Sequence, residues 1–293
     1  MKLRDLLTLR PGVADPASRF LDRITDEIAD GPLNLPCFPD VVLRVRAALD
    51  DPASTADDIV KIAGSEPRLA ARLLQTAGSV VFNPTGKPVP NLRVAVTRLG
   101  HNLVRSVAMV FAIQQARADP LLRGVARPLA DLWEKSVAVA SICQVLAEQI
   151  KVPTDKVFLA GLVHGIGHFY VIVRSAEPGS GIAYEDLPTD LVAERHPSIG
   201  RAVLAKWGFE TVVCEAVAHH RDHARQTHRA ADITDVLVAS VVLAEALRED
   251  GGSLGRCEGI TAFERLGLGP DELRAVLVHT GHAVDSLRAS LAS

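Results

Sequence analysis

The sequence is poor in aromatic side chains: 8 Phe, 2 Tyr and 2 Trp make up 4% of 293 residues. A core of any size must therefore be filled by Leu, Val, Ala and Ile. Cysteine is scarcer still. The four thiols, Cys37, Cys143, Cys214 and Cys257, lie far apart and form no CxxC pair. That spacing argues against a zinc ribbon or a thioredoxin-type motif and fits a reducing compartment. Neither sign of charge dominates: 32 Lys and Arg stand against 35 Asp and Glu, a net charge of -3. Such a balance gives no general pull toward nucleic acid or anionic membrane, and neither partner is expected. The first residues, "MKLRDLLTLRPGVADPASRF", lack the apolar run of a signal peptide. The most apolar stretch, Val157 to Val173, is short for a membrane span and carries two histidines. It reads as a core helix of a cytoplasmic protein. Strand alternation, heptads, fixed-period repeats and low-complexity tracts are missing as well.

What remains is dense helix punctuation in a chain that is 48% hydrophobic and 23% charged, ordinary values for a globular protein. A Pro-punctuated loop at Leu35 to Pro39 precedes Val41, Val42, Val45, Ala48 and Leu49 at helical spacing. Thr55 followed by Asp58 reads as a capping box, and Gly64 as the stop of that short helix. Ser65 reads as the cap of the next helix, whose Leu69, Leu73, Leu74 and Ala77 share a face. "VVFNPTGKPVPN" is a loop; Asn91 caps a helix that Gly100 ends, and a longer one follows from Asn102 to Ala116. From Arg127 the helices lengthen. Short helices are unstable alone and must pack together. The expected architecture is all-α, a two-part helical bundle: a helical extension in residues 1–30, a short-helix sub-bundle in 31–120, and a sub-bundle of longer helices in 121–293.

Four pieces, in order, carry a resemblance: "LPCFPDVVLRVRAALDDPAST", "IAGSEPRLAARLLQTAGS", "VAVTRLGHNLVRSVAM" and "FLAGLVHGIGH", the last followed by "HPSIGRAVLAKWGFETVVCEAVAHH". Together they are similar to the HDOD family over about residues 33–222. That family is an all-helical, degenerate relative of the HD metal-dependent phosphohydrolases. The resemblance implies that the second sub-bundle is HD-like and that the chain is a bacterial signalling or regulatory module.

HD chemistry, the resemblance implies, holds a divalent cation with an early His, an adjacent His-Asp pair and a late Asp, so that bound water is deprotonated for attack on phosphorus. Here the early position falls on Lys135, which is protonated near neutral pH and has no lone pair to donate. The pair reads His164-Gly165, and glycine has no ligand atom. The late position falls on Glu245, and the lysine-like position after the pair is His168. On this reading the site is not catalytic and holds no metal or cofactor. It leaves a vestigial pocket of Lys135, His164, His168, His196, His219 and His220.

His164 and His168 are spaced i, i+4, as on one helix face, and so are His219 and His223. "HHRDH" is not a zinc-protease signature, since no Glu stands where the general base belongs. The bland reading of those last histidines is a solvated helix end, where His suits the macrodipole. Arg44 and Arg46 read as the wet side of a helix, Lys87 and Arg93 as solvated surface, and Trp133 and Trp207 as core or groove-lining. Three functions compete. The first is a non-catalytic module binding a signalling protein partner or a small ligand. The second is a weak metal-dependent phosphohydrolase using His164, His196, His219 and His220. The third is a nucleotide-sensing module, in which Gly165 leaves room and Lys135 supplies positive charge.

Overall fold

The computed structural model describes residues 15–31, 38–79, 82–83, 85–227, 230–249 and 254–280. Every regular element among them is helical, so the all-α, two-part architecture expected from the sequence stands. Cys37 and most of the Leu35–Pro39 loop lie outside the described residues.

Helix α1 (Pro16–Asp30) begins on an Asp15 side-chain cap with Pro16 at its first position. Phe20, Leu21, Ile24 and Ile28 form its buried face. Three short helices, α2 (Asp40–Asp50), α3 (Ala56–Gly64) and α4 (Pro67–Gly78), are followed by the longer α5 (Leu92–Ala116). The capping box of α3 is present: Thr55 N donates to Asp58 at 3.0 Å, and Asp58 N donates to the Thr55 hydroxyl at 3.4 Å. The next cap differs from expectation. Glu66 caps α4, while the Ser65 hydroxyl turns back to donate to the Ile62 carbonyl at the end of α3. Asn91 caps α5, accepting from Val94 N at 3.0 Å.

Gly100 breaks α5 into two stretches by adopting φ 68°, ψ 173°. An added Cβ there would meet no neighbour within 4 Å. The cost of a side chain is therefore conformational alone. Gly100→Ala should lower stability by about 1–3 kcal/mol, since this backbone region is essentially reserved for glycine, readable as a shifted denaturation midpoint with an unchanged slope.

The second part contains α6 (Ala126–Ile150), α7 (Thr154–Val163), α8 (Ile166–Ala176), α9 (Thr189–Lys206), α10 (Thr211–His219), α11 (Ile233–Glu249) and α12 (Thr261–Leu266), with a further helix over 270–280. Helix α6 packs on α7 and α11, α8 packs on α9, and α10 packs on α9 and α11. The span Thr154–Ala176 is long and apolar enough to cross a membrane, but 89% of its most apolar window is buried inside the protein. It is two core helices, not one. Helix α9 carries His196 in its interior, with Pro197 directly after it. Pro197 has no N–H, so the Ala193 carbonyl lacks its α-helical donor.

Two contacts tie the parts together around α9. Helix α1 lies on α8 and α9, with Arg195 on Asp22 at 3.0 Å and Lys206 Nζ on the carbonyls of Ala29 and Gly31. At the carbonyl end of α9, Arg105 donates to the Trp207 carbonyl and to Asp50, and Arg46 donates to the Lys206 carbonyl. Guanidinium groups suit this end of a helix dipole. Arg46 also lies over the Trp207 ring at 5.4 Å. It is thus no mere wet side of α2, as the sequence suggested; its guanidinium lies over a buried indole. Arg44 is exposed near Asp40, and Arg93 pairs with Asp57. Trp133 and Trp207 are both buried.

Candidate functional site

The second part encloses a cleft of about 510 Å³. Five elements supply its inner polar groups. Lys135 comes from α6, His164 and His168 flank the α7–α8 turn, and His196 comes from α9. His220 and Arg221 follow α10, and Glu245 comes from α11. Tyr184, in the loop before α9, closes one side.

Two glycines fix this geometry. At Gly167 an added Cβ would stand 1.9 Å from the His196 carbonyl oxygen and 2.5 Å from Gly200 N. The backbones of α8 and α9 therefore touch, which brings His168 and His196 together. At Gly165 an added Cβ would stand 2.8 Å from Leu132 Cδ1 and 3.3 Å from Ser136 Oγ. The sequence suggested that Gly165 leaves room for a ligand. It does not, because the Leu132 side chain already occupies that space.

The imidazoles form a chain. Ring centroids lie 5.3 Å apart for His164 and His220, 5.1 Å for His220 and His196, and 5.4 Å for His196 and His168. His168 Nε2 then meets the Tyr184 hydroxyl at 2.7 Å. His164 Nδ1 lies 2.7 Å from the Gly161 carbonyl, and His220 Nδ1 lies 2.6 Å from the Val217 carbonyl. A carbonyl only accepts, so both Nδ1 atoms carry the proton and both Nε2 atoms keep a lone pair. His196 is 6% exposed, and its buried Nδ1 has no hydrogen-bond partner.

All four rings are held neutral. Burial pushes His168 down to about 4 and His220 down to about 3. Burial, then the neighbouring His220, hold His164 and His196 well below the usual histidine range. Lys135 and Arg221 add to the depression of His164 and His168. The inner potential is positive. Lys135 Nζ donates to Glu245 Oε1 at 2.6 Å, and Arg221 reaches the same oxygen at 3.4 Å. Burial would raise the Glu245 carboxyl, but the two cations outweigh it and hold it below its ordinary value. Among the described residues, no group of three or more His, Cys, Asp or Glu side chains is placed to hold a metal ion.

Of the six residues expected in the pocket, Lys135, His164, His168, His196 and His220 meet there, and His219 does not. Its side chain is 49% exposed, and its Nδ1 donates to the Glu215 carbonyl of its own helix. Successive helical residues point about 100° apart, so only one of His219 and His220 can face inward. The expected i, i+4 faces also fail. Helix α7 ends at Val163 and α8 begins at Ile166, so His164 faces His220 while His168 faces His196. Helix α10 ends at His219, leaving His223 in the following turn. Sequence reasoning missed Arg221 and Tyr184. Arg221 was legible only as part of a polar helix end, and Tyr184 carried no signal beyond an aromatic in a polar loop.

The chain matches the model of the HDOD domain over residues 35–223. A solved structure from Shewanella amazonensis SB2B, described as a "Putative metal-dependent phosphohydrolase", is 26% identical. It aligns over 93% of this chain and 99% of that one with a TM-score of 0.67. An "HDOD domain protein with unknown function" from Geobacter sulfurreducens is 22% identical, aligns over 94% of this chain and 98% of that one, and has a TM-score of 0.54. A "Putative signal transduction protein" from Marinobacter aquaeolei VT8 is 20% identical over 95% of this chain and 67% of that one, with a TM-score of 0.51. These last two likenesses are of fold alone. A curated relative, an uncharacterized protein of Treponema pallidum (strain Nichols), is 24% identical over 233 residues. That match covers 71% of this chain but only 42% of the relative's length. With the family model lying over most of its length, this chain belongs to the HDOD domain family.

Proposed function

We propose that the chain is a regulatory module of bacterial signalling that does not hydrolyse phosphoesters and acts by binding a protein partner or a small ligand. The observation that carries this reading is the ion pair of Lys135 and Glu245 at 2.6 Å across the cleft. In the HD arrangement implied by resemblance, both positions should hold a cation. An ammonium at one of them repels a metal and takes up the carboxylate at the other. Gly165 contributes no ligand atom, and Leu132 fills the space beside it. The side chains present thus do not fit the divalent ion of that chemistry, and no step is routed through one. A fold relationship alone would not carry a function.

A second reading, a weak metal-dependent phosphohydrolase, is favoured by the two free Nε2 lone pairs on His164 and His220. One experiment separates the two. Tag-free full-length protein is assayed for iron, manganese and zinc, then incubated with manganese and cyclic dinucleotides or nucleoside phosphates. We expect no stoichiometric metal and no turnover above buffer. Stoichiometric metal with turnover abolished by His164→Ala would overturn the regulatory reading.

A further inference from the structure

The cleft holds more hydrogen-bond donors than its own acceptors can use. An ammonium has three N–H donors and a guanidinium has five. Lys135 and Arg221 both spend one on the same atom, Glu245 Oε1. Two donors of Lys135 and four of Arg221 remain over. The two side chains are 23% and 33% exposed, so these donors point into the open part of the cleft, where water or a ligand can meet them. His196 stands beside them with a buried nitrogen that has no partner. Native interiors rarely leave such groups unsatisfied.

The charge balance agrees. Inside the cleft two cations face one carboxylate. Asp131 and Glu185 are exposed at the mouth, where water and salt screen them, and the exposed Arg248 offsets one of the two. The histidines inside feel Lys135 and Arg221, while neither mouth carboxylate figures among their perturbers. A ligand that fits must bring acceptors and negative charge without hydrogen-bond donors for the cations to meet. That describes an oxyanion.

We infer that this cleft binds a small molecule through a single phosphate-like oxyanion, held by Lys135 and Arg221, with the body of the ligand against the histidine chain and Tyr184. A volume of about 510 Å³ is far larger than a bare phosphate and lies in the range of small-molecule sites. An organic body therefore accompanies the oxyanion. The inference rests on the non-hydrolytic reading of the same cleft.

Isothermal titration calorimetry on tag-free full-length protein tests it, with inorganic phosphate, AMP and 3′,5′-cyclic AMP as probes and turnover followed in parallel. We expect saturable binding of at least one organic phosphate, tighter than inorganic phosphate and without hydrolysis. Arg221→Gln and Lys135→Gln should each weaken it by about tenfold or more, the worth of a hydrogen bond to a charged group. The exposed His219→Asn should leave it unchanged. Each variant's thermal midpoint without ligand shows that it is folded. Binding that ignores both cation substitutions, or no binding of any probe up to millimolar concentration, overturns the oxyanion site and leaves the regulatory reading standing. Turnover of a probe overturns the regulatory reading instead. Binding of inorganic phosphate as tight as that of AMP overturns the claim of an organic body.

Discussion

Gly167→Ala is expected to unfold the protein or nearly so, with a loss of about 4 kcal/mol or more. The methyl group would stand 1.9 Å from the His196 carbonyl oxygen and 2.5 Å from Gly200 N. Both are backbone atoms of α9, so no rotamer change relieves the overlap. The two helices must move apart by more than an ångström. Overpacking a core with a movable side chain costs about 1–3 kcal/mol; here the obstacle is a helix. A small domain holds only about 5–15 kcal/mol in all. Gly124→Ala is the control, since its Cβ would meet nothing within 4 Å and its φ is ordinary. That change should stay within about 0.5 kcal/mol of the parent. Chemical denaturation reads both, and a Gly167→Ala variant as stable as Gly124→Ala would refute the backbone contact.

Acid should unfold the protein at a mildly low pH, through the same histidine chain. The folded state holds four imidazoles below their usual range, His168 at about 4 and His220 at about 3. In the unfolded chain they titrate near the reference value of about 6.5. Above that value both states are neutral and the stability is complete. As pH falls below it, the unfolded chain takes up protons that the folded one refuses, so stability drops. Each ring contributes a limiting slope of about 1.4 kcal/mol per pH unit, and four together roughly 5. Against about 5–15 kcal/mol, that slope brings unfolding by about pH 5. Glu245 works in the same direction but only below its ordinary carboxylate range, since its folded value is depressed too. Urea midpoints measured from pH 8 to 5 check this. His196→Gln should remove about one quarter of the slope, and the exposed His219→Asn should leave it intact. A flat profile over that range would mean the rings are not buried as described.

The histidines also mark what could be read from the chain alone. Caps and glycine stops are local chemistry, so Thr55 with Asp58, Asn91 and Gly100 announced their helix boundaries correctly. The resemblance placed Lys135, His164, Gly165 and Glu245 in one region, and they line one cleft. What the sequence hid was orientation. Whether His219 or His220 turns inward depends on where α10 ends against α11, which no local pattern states. The space beside Gly165 depends on Leu132, more than thirty residues earlier, and the partner of Arg46 is an indole just past the end of a distant helix. Tertiary packing decides such matters, and a single sequence carries no direct record of it.

Helix α9 bears His196 in one half and, just past its other end, Trp207 with the carbonyls gripped by Arg46 and Arg105. The cleft is therefore a joint possession. A fragment beginning near residue 121 would retain every histidine of the cleft yet lose the guanidinium clamps on that rod and strip cover from its indole. The N-terminal helices are part of the scaffold that aims the imidazoles, although none of them donates a single atom to the inner wall.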